Sequence, residues 1–305
     1  MEHSNESQPR LKNRYQIPVP IPVFLQMTAV TSLPSVETHS RALGAASQVR
    51  RNRRMNRVIV SLLVATALVA ACGGAVANAP AKPSTPPGPV VKFKSTLPGQ
   101  TTASQIDLVQ SILYFAPGAA STVHKHPTAF LATVMQGQIT LKTPTGDKVS
   151  SAGEVIQEPL NQPVQAVNMG SVDAMVVVAY PVPHGAKATL PVAGSPAPAI
   201  PNKTLYTFTL DSQNLSGGYS VVQQILVFAP GSQTPKHRHG GPGLITVLQG
   251  EVTLNLDGIE KTYKVGDSFA ETPGQTMQAF NRGTSELVVA GSYLLPDGAQ
   301  LTTNL

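Results

Sequence analysis

The chain has 305 residues, 41% apolar and only 12% charged, with 25 Gly and 27 Pro. That length suits about two domains, and the composition fits short strands with many turns better than long charged helices. The formal charge of +6 sits in the first 57 residues, which hold nine Lys/Arg against three Glu, while the rest balances thirteen against thirteen; this excludes the basic folded surface that a nucleic-acid partner needs.

Residues 1–54 come first and fit no part of an export signal. They are expected to be an unstructured or over-translated extension, because Met55-Asn56-Arg57 would itself make a good start. Residues 55–71 read as a signal peptide. Basic residues from Arg50 to Arg57 precede an uncharged run over 58–71. The run is shorter than the roughly 20 apolar residues a spanning helix needs, and right for the apolar region of a signal peptide. It ends in Val69-Ala70-Ala71-Cys72, at the chain's one cysteine, so no disulfide can form within the chain.

That ending resembles the bacterial lipobox. The resemblance implies lipidation of Cys72 and a lipid-anchored protein of the bacterial cell envelope. Gly73 does not supply an Asp retention signal, so the outer membrane is preferred. Ordinary secretory cleavage and an uncleaved anchor are the alternatives. Residues 72–89, rich in Ala and Pro, read as an extended tether.

Two copies follow, related by a constant shift of 113 residues. Ile112-Leu113-Tyr114-Phe115-Ala116-Pro117-Gly118 meets Ile225-Leu226-Val227-Phe228-Ala229-Pro230-Gly231, and His124-Lys125-His126 meets His237-Arg238-His239. Thr133-Val134-Met135-Gln136-Gly137 meets Thr246-Val247-Leu248-Gln249-Gly250, and Tyr180-Pro181 meets Tyr293-Leu294. Each copy is long enough for a small domain, expected over 90–186 and 203–300, with 187–202 as linker. Runs such as Leu244–Leu248 and Val252–Leu256 are short, β-branched and bounded by Gly or Asp257-Gly258, which predicts strands and a hairpin. About eight strands per copy, closed into a barrel, leave no exposed edge.

The motifs resemble the cupin superfamily. Its first motif is followed by Gly118, His124, His126 and Gly137, and again by Gly231, His237, His239 and Gly250. Its second is followed by Gly153, Pro159 and Asn168, and by Gly266, Gly274 and Asn281. The resemblance covers residues 90–300 and implies an all-β fold: two tandem double-stranded β-helix barrels of jelly-roll type. It also implies one divalent metal per barrel, held by the two motif-1 histidines, a Glu and a motif-2 His. His-x-His on a strand puts both imidazoles on one face.

This chain departs from that ligand set. The Glu position is Phe130 and Gly243, and the third His position is Val164 and Met277. Two imidazoles alone make a weak site, since metal centres want three or more protein ligands. Glu158 and Glu271 recur at equal positions, and Glu271 shares strand parity with Phe269. An inward Phe269 would bring Glu271 inward, giving two His and a carboxylate, a set used for non-haem iron. Some cupins resembling this chain keep such a Glu.

The candidate metal ligands are therefore His124, His126 and Glu158, and His237, His239 and Glu271, for Fe, Mn, Ni or Cu. The second copy is favoured because it keeps Gly274 where the first has Asn161. The alternative puts both acids at the barrel rim. Met277 reads as barrel filler, His184 as a solvated linker residue, Gln165 and Gln278 as turned to the surface, Gln136 and Gln249 as structural, and Asn168 and Asn281 as bonded to backbone. No phosphate loop or nucleophile motif is visible, so no nucleotide and no catalytic residue is assigned.

Three functions fit. The first is a metal-dependent oxidoreductase, resembling a dioxygenase or an oxalate decarboxylase. The second is a non-catalytic protein binding a small ligand or a metal. The third is a structural double barrel.

Overall fold

A computed structural model describes residues 86–102, 105–215 and 217–305. The extension, the signal peptide, Cys72 and most of the tether lie outside them. Twenty strands occur in chain order among the described residues. They are β1 (Val90–Thr102), β2 (Ile106–Phe115), β3 (His124–Lys125), β4 (Leu131–Gln136), β5 (Gln138–Lys142), β6 (Lys148–Ser151), β7 (Val155–Ile156), β8 (Gln165–Val167), β9 (Ala174–Pro183) and β10 (Leu190–Pro191). There follow β11 (Lys203–Gln213), β12 (Gly217–Phe228), β13 (His237–His239), β14 (Gly243–Gln249), β15 (Glu251–Leu256), β16 (Ile259–Lys264), β17 (Ser268–Glu271), β18 (Met277–Phe280), β19 (Leu287–Pro296) and β20 (Thr302–Asn304).

These strands make two jelly-roll barrels. In the second, a sheet ordered β1-β12-β19-β14-β17 faces one ordered β16-β15-β18-β13-β20. The first repeats this, with β11-β2-β9-β4-β7 facing β6-β5-β8 and the pair β10-β3. The all-β double barrel expected from the sequence is the observed fold. Each barrel uses ten strands rather than eight.

The barrels exchange one strand each. β1 precedes the first barrel in sequence yet pairs with β12 of the second, with Lys94 opposite Gln224. β11 precedes the second barrel yet pairs with β2 of the first, with Phe208 opposite Gln110. Each exchanged strand lays an aromatic ring on a glycine of the barrel that follows it. A Cβ on Gly153 would meet Phe93 at 3.0 Å, and one on Gly266 would meet Tyr206 at 2.9 Å. Both glycines also have φ near +90° (93° and 87°), where a side chain is strained.

The Ala/Pro-rich stretch 187–202 is more than a linker and adds a strand to the first barrel. It carries β10, which pairs with β3, as β20 pairs with β13. The repeat thus runs on past residue 186.

Alternation of inward and outward side chains builds three cores. Phe115, Val134, Ile139, Val164 and Val176 fill the first barrel, and Phe228, Val247, Val252, Phe269 and Met277 the second. Leu108, Leu131, Phe208, Leu210, Tyr219, Val221, Leu244 and Leu294 form a third core where the barrels meet. Each such fully buried Leu, Val or Phe contributes about 1.5–3 kcal/mol. Gln110 lies in this seam, where its amide nitrogen shares its two hydrogens among Leu244 O, Ala290 O and Ser292 Oγ and its amide oxygen accepts from Thr246 Oγ1. A buried amide so fully paired specifies one docking of the two sheets.

His184 is exposed, as expected, but it has a partner. Its Nδ1 lies 2.8 Å from Asp107 Oδ1, a carboxylate that also accepts from the Gly185 and Ser212 amides. Ser212 Oγ lies 3.1 Å from the same ring nitrogen. Asp, His and Ser therefore meet, but a relay needs the two partners on opposite nitrogens. Asp107 is a structural clamp on two loops. Burial pushes its carboxyl up, but the hydrogen bonds from Gly185, His184 and Ser212 outweigh this and hold it below its ordinary value.

Candidate metal site and its altered copy

In the first barrel β3 and the residue that follows it place His124 and His126 side by side, both buried, with ring centroids 4.9 Å apart. The two rings are fixed from behind. His124 Nδ1 lies 2.8 Å from Thr122 O, and His126 Nδ1 lies 2.8 Å from Ala188 O in the stretch before β10. A carbonyl can only accept, so each Nδ1 carries a hydrogen, and in the neutral ring Nε2 keeps its lone pair. Both Nε2 atoms face Glu158 Oε2, at 3.7 Å from His124 and 3.3 Å from His126. That oxygen is buried and has no hydrogen-bond donor. The three residues' donor atoms lie within 4.8 Å of one another.

Glu158 follows β7 by two residues, so it continues the inward parity of buried Ile156. Asn161 turns the chain back with φ 57°, doing the work of Gly274 in the second copy, and its amide donates to His126 O. Asparagine is one of the few side chains that tolerates this conformation. The lost Gly therefore does not spoil the first site.

The neighbouring positions explain the departures from the family pattern. Val164 stands beside His124, exchanging two backbone hydrogen bonds with it, and is 2% exposed. Phe130 packs on His126 with ring centroids 4.2 Å apart, and Tyr180 stacks on the same imidazole at 5.3 Å. Apolar walls stand where the extra ligands would be.

The second barrel holds the same three residues differently. His237 and His239 are again 4.9 Å apart, with Nδ1 bonded to Pro235 O and Leu301 O. Phe269 and Glu271 both point inward, as parity predicts, with exposures of 4% and 6%. Glu271 Oε2, however, has partners. His239 Nε2 is 3.1 Å away, and Tyr293 donates its hydroxyl to the same oxygen at 3.1 Å. His237, His239 and Glu271 do not form a three-donor group of the kind found in the first barrel. The second barrel, favoured on sequence, is thus the less convergent one.

Burial lowers the His237 pKa. For His239 burial also lowers it, but Glu271 and the Leu301 carbonyl outweigh this, and the pKa is raised. Burial, reinforced by the nearby carboxylate, raises both Tyr180 and Tyr293, which keeps both phenols protonated.

Space differs as well. Gly243 replaces Phe130, and a Cβ there would meet the Tyr293 ring at 2.5 Å. The second barrel holds an open cavity of about 410 Å³ lined by His237, His239, Glu271, Tyr293, the polar side chains of Gln224, Thr234, Thr302 and Asn304, and apolar side chains. The two tyrosines were missed in the sequence. They recur at the 113-residue shift and sit on the long strands β9 and β19, which was the available signal.

The remaining residues fall into place around these sites. Gln165 and Gln278 are half-buried and tie down the loops before the histidines through Ser121 O and Thr234 O. Asn168 and Asn281 bond backbone carbonyls, as expected. Met277 is 1% exposed within the second core.

Among curated proteins none matches this chain. Among solved structures, vicilin from Corylus avellana (hazelnut) is similar at 11% identity and a TM-score of 0.49, over 69% of this chain and 87% of that one. Bacillus subtilis oxalate decarboxylase, described with Mn(II) centres, is similar at 14% identity and 0.48, over 73% and 82%. Lactobacillus farciminis oxalate decarboxylase, in a formate complex, is similar at 15% identity and 0.47, over 72% and 92%. Residues 224–293 match a family model, and that family is described as the cupin domain.

Proposed function

We propose that this chain is an exported, lipid-anchored double cupin that holds one divalent transition metal in its first barrel, through His124, His126 and Glu158. The observation that carries this reading is the buried Glu158 oxygen without a donor, facing two imidazole lone pairs. Three acceptors aimed at one point repel unless a proton or a metal cation lies between them, and two imidazoles with a carboxylate suit Fe, Mn, Ni or Cu. The carbonyls behind the rings, Thr122 O and Ala188 O, fix the ligating tautomer and the ring orientation.

A metal held by three protein ligands supplies a Lewis acid with open positions. That is the basis of the oxidoreductase reading. Phe130 and Tyr180 fill the space beside His126, which favours holding a metal over turning over a substrate. Export and anchoring rest on the run before Cys72.

The test is elemental analysis and calorimetric titration of the chain with Mn(II), Ni(II) and Cu(II). One ion per chain, lost in Glu158→Gln, is expected. A chain that stays metal-free at saturating ion would overturn the reading.

A further inference from the structure

We infer that the second barrel is a metal-free pocket for a small neutral molecule bearing one hydroxyl donor, an alcohol or a phenol, and that Tyr293 is the residue that converted it. The inference does not depend on occupancy of the first barrel.

Three observations carry it. The Tyr293 hydroxyl donates to Glu271 Oε2, so that carboxylate oxygen has a donor inside the protein. The equivalent phenol of the first barrel, Tyr180, hydrogen-bonds Thr189 instead and leaves Glu158 Oε2 bare. One hydroxyl, turned one way or the other, decides whether the same three residues call for a cation.

Second, exchange of Phe130 for Gly243 removes a ring that roofs the first site. The Tyr293 ring lies against Gly243, and the cavity of about 410 Å³ remains. That volume lies within the usual range for small-molecule sites.

Third, the lining names the ligand class. Leu226, Phe228, Ile245, Val252, Phe269 and Val289 make most of the wall apolar, and Gln224, Thr234, Thr302 and Asn304 are its uncharged polar members. His237 lines the cavity with Nδ1 already bonded to Pro235 O, so its Nε2 is a lone pair seeking a donor. The lining contains no Lys or Arg, and Glu271 lies within it, which disfavours an anion. An apolar body with one O–H group matches both features.

The test has two arms on the full chain. In the first, 1-naphthol, naphthalene and 1-naphthalenesulfonate are titrated by fluorescence. The naphthol is expected to bind about tenfold more tightly than naphthalene, the worth of one hydrogen bond. His237→Leu should erase that difference, and the sulfonate should not bind. Equal binding of naphthol and naphthalene, or preference for the sulfonate, overturns the assignment.

In the second arm, metal is counted per chain after loading with Ni(II). Tyr293→Phe keeps the ring and removes the hydroxyl, freeing Glu271. It should raise the count by one ion over the wild-type chain, and in the Glu158→Gln background too. An unchanged count in Tyr293→Phe, or a wild-type chain that already loads both barrels, refutes the role of Tyr293. A wild-type chain that loads neither barrel while Tyr293→Phe loads one sinks only the first-barrel reading.

Discussion

Glu158→Gln separates a metal centre from an ordinary buried acid by its effect on stability. The Glu158 side chain is 7% exposed, and its Oε2 has two imidazole nitrogens within 4 Å (3.3 and 3.7 Å) but no donor. A buried polar or charged oxygen left unsatisfied costs about 1–3 kcal/mol. Glutamine of the same shape removes the charge and offers an amide N–H to the His126 lone pair. Without metal, the variant should therefore be more stable than the wild type by about 1–3 kcal/mol. For a folded part of this size that is roughly 2–10 °C in Tm.

With metal the order reverses. An ion at a hundred times its Kd stabilises the chain that binds it by about 2.7 kcal/mol. The wild type should rise by roughly 5–10 °C, and the variant should not respond. Differential scanning calorimetry after chelation, then with added Ni(II) or Mn(II), reads both effects. A variant that melts below the wild type in chelator, together with a wild type indifferent to metal, would refute the reasoning.

Asp107→Asn tests the clamp at His184. Because the folded pKa of Asp107 lies below its ordinary value of 3.8, its contribution is complete above that value and lost as pH falls through the folded value. Tm measured from pH 5 to pH 2.5 should fall less steeply in the variant, from a starting stability lower by about 1–3 kcal/mol; parallel curves would count against the clamp. Gly243→Ala places a methyl 2.5 Å from the Tyr293 ring. It should cost about 1–3 kcal/mol by overpacking and displace the phenol from Glu271, which thermal melts and the ultraviolet difference spectrum of tyrosine would show. Cys72→Ser should abolish incorporation of labelled fatty acid and release the protein from membranes, and retained label would end the lipid-anchor proposal.

The fold was legible because a duplication prints its strand pattern twice. His-x-His fixed two imidazoles on one face, and the parity of Glu271 with Phe269 carried the acid inward. What sequence concealed was set by contacts remote along the chain. The exchange of β1 and β11 leaves no local mark, because a strand's pattern records its buried face and not its neighbour. The carbonyls of Ala188 and Leu301 lie 62 residues beyond the histidines they orient. Backbone atoms carry no residue-type signal at all. Favouring the second site for Gly274 gave weight to a turn that Asn161 makes equally well.

The two barrels show how little change separates two chemistries on one scaffold. His124, His126 and Glu158 superimpose in sequence on His237, His239 and Glu271, and in both barrels each imidazole is braced by a carbonyl at Nδ1. The differences lie one shell out. A phenylalanine became glycine, and a tyrosine hydroxyl moved from a threonine to the carboxylate. The absence of a side chain at Gly243 lets the Tyr293 ring close against the backbone there, and its hydroxyl donates to the carboxylate. Both changes act in the same direction, away from a cation. A chain under pressure only to keep the fold would have no reason to keep both His-x-His pairs. Retaining both while their surroundings diverge is what separate duties for the two barrels would require.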